Sequence, residues 1–137
     1  AVLRARMEPS QAAITATAGE KVAIPVRVTN LSHIPLAQGN SPFGLSYHLM
    51  SAERQVLRFD HPRVWFNNPL PPRDSRTLNV YVDVPHDPGT YQLEFDIVWE
   101  GVAWMKDLGN QTAVVQLTVI GDRVAGSHTE LAGSRTE

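Results

Sequence analysis

Hydrophobic and polar residues alternate with a period of two along much of this chain. The clearest case lies between Tyr91 and Trp99. A period of two places successive side chains on opposite faces of a β-strand. The apolar set is Tyr91, Leu93, Phe95, Ile97 and Trp99, and the polar set is Gln92, Glu94 and Asp96. The pattern predicts a long strand with one face in a core, and the following Glu100-Gly101 predicts a β-bulge at its end.

The same alternation predicts the other strands. They cover residues 2–7, 12–16, 21–30, 43–50, 55–59, 76–84 and 113–120. Turns rich in Gly, Pro, Asn and Asp separate them, and the proline-rich stretch 61–73 predicts a crossing between sheets. No segment carries a sustained stripe of apolar residues with the period of an amphipathic helix. The sequence therefore predicts an all-β fold, an antiparallel β-sandwich of seven to nine strands.

One turn refines this fold class. Asp87-Pro88-Gly89-Thr90-Tyr91 matches the D-x-G-x-Y pattern of the immunoglobulin tyrosine corner, in which the tyrosine hydroxyl bonds back to the backbone. Leu93 stands where an antibody domain has its second disulfide cysteine, and the chain has no cysteine. We therefore expect an immunoglobulin-like sandwich without a disulfide.

Composition narrows the classes of function. The 137 residues suit one domain, which we place at 1–120, followed by a polar tail or linker at 121–137. A net charge of −2, from 12 basic and 14 acidic residues, does not indicate a basic surface that would bind nucleic acid. No apolar run has the length of a membrane span, so we expect no membrane insertion. The first residues show neither an initiator Met nor a signal peptide, so we interpret the chain as a piece of a longer polypeptide, located in the cytoplasm.

Four short motifs carry a resemblance to a known family. They are Leu45-Ser46-Tyr47-His48, Leu70-Pro71-Pro72 ahead of the 78–84 strand, Pro88-Gly89-Thr90-Tyr91, and Glu100-Gly101-Val102-Ala103-Trp104. Over about residues 20 to 120 the chain resembles bacterial β-sandwich modules attached to surface-polysaccharide machinery, including glycosyltransferases and methyltransferases. It is similar in architecture to the C-terminal carbohydrate-recognition domain of the ATPase subunit in O-antigen ABC exporters. The resemblance implies glycan binding, or a scaffold role beside a catalytic or transporter domain at the inner face of the cell membrane.

The candidate ligand-binding residues are Trp104, Trp65, Tyr81, Asp96 and Glu100. An aromatic face offers a flat apolar surface to the C–H groups of a sugar ring, and neighbouring carboxylates accept hydrogen bonds from its hydroxyls. Each residue also has a structural alternative. The two indoles could lie at the edge of the core, the tyrosine could pack against a neighbouring strand, and the carboxylates could belong to an ordinary solvated sheet face.

Catalytic signatures are absent from the sequence. It has no G-x-S-x-G, P-loop or G-x-G-x-x-G motif, and its five histidines lack metal-ligand spacing. We therefore expect no enzyme activity, no cofactor and no metal. Two hypotheses remain. The first is a non-catalytic module that binds a surface polysaccharide of O-antigen type. The alternative is a structural module that packs against a catalytic domain or a partner chain, with a homodimer as one form.

Overall fold

The computed structural model describes residues 3–39 and 42–121. These residues form ten strands and one 3-10 turn. The strands are β1 (Ala5–Pro9), β2 (Ala13–Thr17), β3 (Lys21–Asn30), β4 (Phe43–Ser51), β5 (Val56–Arg58), β6 (Val64–Trp65), β7 (Ser75–Asp83), β8 (Gly89–Trp99), β9 (Ala103–Trp104) and β10 (Ala113–Ile120), and the 3-10 turn is Met105–Leu108. Apart from Gly121, the predicted tail lies outside the described residues.

The strands form two sheets packed face to face. One sheet has the order β1-β3-β7, and the other has the order β2-β10-β8-β4-β5, with β6 paired to β4 and β9 paired to β8. This confirms the immunoglobulin-like sandwich. One pairing differs from the prediction, because β2 and β10 run parallel. The chain leaves the first sheet after β1, and β2 joins the second sheet alongside β10 in the same direction.

The core lies between the two sheets and consists of the apolar faces that alternation predicts. From the smaller sheet it takes Val26, Val28, Val80 and Val82, and from the larger sheet Leu45, Tyr47, Leu93, Phe95, Ile97 and Leu117. Each of these side chains is almost completely buried. Burying a large apolar side chain contributes about 1.5–3 kcal/mol, so this layer supplies the main stabilisation of the sandwich.

The predicted tyrosine corner is confirmed. Tyr91 O–H donates a hydrogen bond of 2.6 Å to the carbonyl of Asp87, four residues before it. A second tyrosine links the two sheets: the Asp83 N–H donates to the Tyr47 hydroxyl at 3.1 Å. Burial raises the pKa of Tyr47, so its hydroxyl stays protonated and the link stays neutral.

The bulge predicted at Glu100-Gly101 is wrong, because the chain reverses there. Gly101 has a φ of +78°, a left-handed conformation that glycine adopts without strain. The Val102 N–H donates to the Trp99 carbonyl at 2.9 Å, which closes a tight turn. β9 then runs back along β8, with Trp104 opposite Val98. The turn therefore brings Trp104 over the sheet instead of extending it past the strand end.

The predicted crossing between the sheets is confirmed for residues 61–73. The two residues of β6 pair with β4 on the way, with Trp65 opposite Gly44. No helix within the described ranges is long and apolar enough to span a membrane.

Candidate ligand-binding surface

The outer face of β4 and β8 carries polar side chains that alternation assigns to it. Ser46 and His48 on β4 lie opposite Asp96 and Glu94 on β8. The sequence presented Asp96 either as a ligand-binding residue or as part of a solvated sheet face, and both interpretations place it at the surface. It is instead completely buried. Residues 59–66 and the chain from β9 through the 3-10 turn (Met105–Leu108) lie over this part of the sheet, so they exclude water from it.

His48 and Asp96 form a buried hydrogen-bonded pair beneath these two segments. His48 Nε2 lies 3.0 Å from Asp96 Oδ2, and both side chains have no exposed surface. His48 Nδ1 lies 2.7 Å from the carbonyl of Phe59, which can only accept, so Nδ1 carries a proton. Asp96 Oδ1 accepts from the N–H groups of Ile97 at 2.9 Å and Lys106 at 3.1 Å. The pair therefore fastens the 59–66 segment and the start of the 3-10 turn to the sheet.

Aromatic rings cover His48 on its solvent side. Phe59 stacks on the imidazole with centroids 3.9 Å apart, and Trp104 meets it edge-on at 4.7 Å. Phe59 and Trp104 contact each other at 5.2 Å with an interplanar angle of 81°. The guanidinium carbon of Arg63 lies 5.1 Å from the centroid of a Trp104 ring, within cation–π range. Packed rings and a paired cation give this part of the surface a fixed shape.

Trp65 continues this layer over Gly44. A Cβ on Gly44 would lie 2.7 Å from Cβ and Cγ of Arg63 and 3.1 Å from the Trp65 ring. Only glycine allows Arg63 and Trp65 to approach the strand this closely. Phe59, Trp104, Arg63 and Trp65 are referred to below as the outer-face row. Phe59 and Trp65 at its two ends are each 40% exposed.

Two carboxylates flank the row. Arg63 Nη1 donates to Asp60 and to the His61 carbonyl, and Arg63 Nε donates to Glu100 Oε1 at 3.1 Å. The hydrogen bond from Arg63 holds the pKa of Asp60 below its usual range. Burial alone would lower the pKa of Arg63, but the bonds to both carboxylates outweigh it and raise that pKa. Asp60 and Arg63 are therefore ionised near neutral pH.

A second ion pair holds the 3-10 turn beside the row. Lys106 Nζ lies 2.7 Å from Glu94 Oε1, and the Thr112 hydroxyl donates to Glu94 Oε2 at 2.9 Å. Burial would raise the pKa of Glu94, but these two bonds outweigh it and lower that pKa. Because Glu94 lies on β8, this network attaches both the turn and the start of β10 to the central strand.

His61 supports the row from the core side. Its Nδ1–H donates to the Tyr47 carbonyl at 2.7 Å, and its ring stacks on Tyr47 at 3.8 Å. Burial lowers the pKa of His61, so the folded protein holds it neutral. The unfolded chain takes up this proton at a higher pH than the folded protein does.

This histidine therefore makes the fold sensitive to acid. As pH falls below about 6.5, the unfolded state binds the proton first, and the free energy of unfolding decreases by at most about 1.4 kcal/mol per pH unit for one group. His61→Asn keeps a donor near the position of Nδ1 and removes the titration. Urea unfolding between neutral pH and pH 5 should show a shallower loss in this variant. A slope identical to that of the unmodified protein would contradict a neutral buried His61.

The structure brings together some of the sequence-predicted residues. Trp104, Trp65 and Glu100 all lie in or beside the outer-face row, and Asp96 lies beneath it. Tyr81 does not join them. It pairs with Ala23 within the smaller sheet, and its side chain is 58% exposed on the other side of the sandwich. Alternation identified the outward face of Tyr81 but not the sheet to which it belongs.

Sequence reasoning missed Phe59, Asp60, Arg63 and the role of His48. Asp60 and Arg63 lie in an irregular segment where no periodicity assigns a face, and Phe59 is the last residue of the strand predicted at 55–59, one residue beyond the observed β5. His48 belongs to the polar set of β4, and the signal that could have identified it is a matching polar set on β8. That signal needs the strand register, which places Ser46 opposite Asp96. Within the described ranges no group of three potential metal-ligating side chains occurs.

Comparisons with known proteins support the fold. No family model matches the sequence, and no curated protein matches it. The CARDB domain of a Pyrococcus furiosus protein, solved in complex with di-metal ions, has a TM-score of 0.52 and 14% identity over 86% of this chain and 87% of that one. Spo0M, a sporulation control protein from Bacillus subtilis, has a TM-score of 0.53 and 14% identity over 98% of this chain and 56% of that chain.

A third likeness is to an enzyme. The β-glucosidase from Listeria innocua, solved in complex with isofagomine, has a TM-score of 0.53 and 14% identity over 88% of this chain but only 16% of that chain. The chain thus matches one part of a much larger polypeptide. At these identities, all three likenesses establish that this chain shares a β-sandwich fold with these proteins.

Proposed function

We propose that this domain is a non-catalytic carbohydrate-binding module whose site is the outer-face row (Phe59, Trp104, Arg63 and Trp65). The observation that carries this proposal is the pairing of exposed aromatic rings with exposed carboxylates on a fixed sheet surface. Trp65 is 40% exposed, and the side chains of Asp60 and Glu100 are 71% and 41% exposed. Rings can stack on the C–H face of a sugar, and carboxylates accept hydrogen bonds from its hydroxyls.

The supporting layer suits binding rather than catalysis. Glycoside hydrolysis needs one carboxyl group with a raised pKa to act as the general acid. Arg63 holds the pKa of Asp60 below its usual range, and the only neighbouring histidine–carboxylate pair, His48–Asp96, is sealed from solvent in the described part of the chain. These features favour a site that binds a glycan without cleaving it.

The ligand class and setting follow from the resemblance described above. We propose a bacterial surface polysaccharide of O-antigen type as the ligand, and a neighbouring catalytic or transporter domain of the same polypeptide as the partner. In that setting the module would act in the cytoplasm at the inner face of the membrane. Its task would be to hold the glycan for the neighbouring domain.

Trp65→Ala tests the site directly. We expect glycan affinity to fall about 10- to 100-fold, which corresponds to losing the burial of one large apolar side chain. Tyr81→Ala is the matched control, because Tyr81 is also an exposed aromatic residue but lies on the opposite side of the sandwich. A glycan array followed by calorimetric titration of the positive glycans gives the measurement. Equal loss in both variants, or in neither, would contradict the site.

A second candidate function is an interaction module, and two observations favour it. A groove of about 600 Å³ at one end of the sandwich is lined mainly by apolar side chains, among them Ile34, Phe43, Trp99 and Leu108. At the edge strand β5, Val56 and Leu57 are 51% and 53% exposed. Exposed apolar edges favour pairing with another chain. Sedimentation analysis separates the functions: concentration-dependent dimerisation that Leu57→Asp abolishes would support this alternative.

A further inference from the structure

We propose that the outer-face row contains two separate sugar-stacking subsites, at Phe59 and at Trp65, and that its ligand is a stretch of several residues of an uncharged or amino-bearing glycan. This inference rests on the proposed function and specifies its ligand. It follows from the spacing of the exposed rings and from the charge of the groups around them.

The spacing comes from the strand beneath the row. Phe59 stacks on His48, and the Trp65 ring lies over Gly44. These two β4 residues are four positions apart, which is about 13 Å along a strand. A single pyranose ring cannot contact both sites. Because the two rings are equally exposed, a glycan chain can stack one sugar on each.

The middle of the row is built to hold this spacing, not to bind a third sugar in the same way. Trp104 is only partly exposed, since it packs against His48 and Phe59. The Arg63 side chain, 14% exposed, lies between Trp104 and Trp65. A glycan bound at both ends would pass over this middle section, where Glu100 offers carboxylate oxygens to its hydroxyls.

The charge of the accessible groups indicates the chemistry of the ligand. The accessible acidic side chains bonded to the row are those of Asp60 and Glu100, whereas their cation, Arg63, is shielded and already donates to both. Carboxylates accept hydrogen bonds from hydroxyl and ammonium groups. A uronic acid would add a third negative charge next to these two. The row should therefore discriminate against acidic sugars.

Two other cations lie near the row but are engaged. Lys106 is bound to Glu94 at 2.7 Å. Arg58 lies in the edge strand β5, and its Nε donates to the carbonyl of Asp60 at 3.1 Å. On the core side, its positive charge acts to lower the pKa values of His61 and Tyr47. Arg58 is the residue through which an acidic sugar would be accommodated if this inference were wrong.

Oligosaccharides of increasing length test the two subsites. The probes are mannan, dextran and chitosan fragments, from monosaccharide to hexasaccharide, and polygalacturonate fragments of the same lengths, each titrated by calorimetry. For an uncharged or amino-bearing series we expect affinity to rise about 100-fold once the chain reaches both rings. Both Phe59→Ala and Trp65→Ala should remove this gain. Near-ultraviolet circular dichroism shows that each variant is folded, and either folded variant is sufficient for the test.

The outcomes separate this inference from the proposed function. Binding that does not depend on chain length, or polygalacturonate binding as tight as that of the uncharged fragments, overturns the two-subsite inference while leaving glycan binding intact. Loss of polygalacturonate binding in Arg58→Ala would then identify the cation responsible. If no fragment binds and Trp65→Ala matches the unmodified protein throughout, the proposed function itself fails.

Discussion

Asp96→Ala should lower the free energy of unfolding by about 3–5 kcal/mol. Asp96 is completely buried and forms a hydrogen-bonded pair with His48 at 3.0 Å. Its removal leaves the Nε2 atom of the buried His48 without its hydrogen-bond partner. It also removes the acceptor for the N–H of Lys106 in the first part of the 3-10 turn. Urea unfolding followed by far-ultraviolet circular dichroism gives the measurement.

Asp107→Ala is the matched control for this prediction. Asp107 is a carboxylate in the same 3-10 turn, but its side chain is exposed. Its removal should change the free energy of unfolding by about 0.5 kcal/mol or less. If Asp96→Ala is no more destabilising than Asp107→Ala, the buried pair does not hold residues 59–66 and the 3-10 turn against the sheet.

Trp104→Ala should lower the free energy of unfolding by about 2–3 kcal/mol, somewhat less than for a fully buried tryptophan. Trp104 contacts His48, Phe59 and Arg63, so its removal opens a cavity in the middle of the outer-face row. It also removes a cation–π contact. The same variant should lose glycan binding, because both end subsites depend on the packing that Trp104 provides.

Comparison with Trp65→Ala separates a role in stability from a role in ligand binding. Trp65 is 40% exposed and lies at the end of the row, so its removal should cost about 1 kcal/mol or less. The sequence treated these two tryptophans alike, as equally divided between core and surface. The structure predicts that Trp104 acts mainly through stability and Trp65 mainly through binding. Equal destabilisation by both substitutions would contradict this division.

The predictability of the fold and of the site differed for a physical reason. Alternation between Tyr91 and Trp99, and the turn before Tyr91, are local features, and they predicted β8 and its tyrosine corner correctly. The turn at Gly101 was also visible, but a glycine there is compatible with either a bulge or a reversal. The reversal decides where Trp104 lies, so the position of Trp104 over the sheet could not be predicted from the glycine alone.

The burial of Asp96 could not be predicted because it depends on segments without periodicity. A polar set on one face of a strand predicts solvent, and nothing in the spacing of residues 59–66 shows that they cover that face. For Tyr81, the sequence pattern predicted the direction of the side chain but not the sheet to which the strand belongs. Its outward direction was clear from its neighbours, yet its sheet is fixed by pairing with β3, which is far away in sequence.

The apolar core and the buried polar pairs together explain how a small sandwich without disulfides presents a fixed aromatic surface. The apolar core between the sheets stabilises the fold. On the outside, the His48–Asp96 pair and the Lys106–Glu94 pair fasten two irregular segments to β4 and β8. Those segments carry the exposed aromatic rings and carboxylates. The proposed ligand site is therefore built on buried polar contacts beneath it.

The most direct test of the proposed site uses the indole N–H signals of the three tryptophans in a nitrogen-15 NMR titration with a glycan that binds. Substitution of each tryptophan by phenylalanine assigns the signals. We predict that the glycan shifts the signals of Trp65 and Trp104 and leaves that of Trp99 unchanged, because Trp99 stacks on Phe43 on the opposite face of the same sheet. A shift of Trp99 alone would place the ligand in the apolar groove at the end of the sandwich and contradict the outer-face row as the binding site.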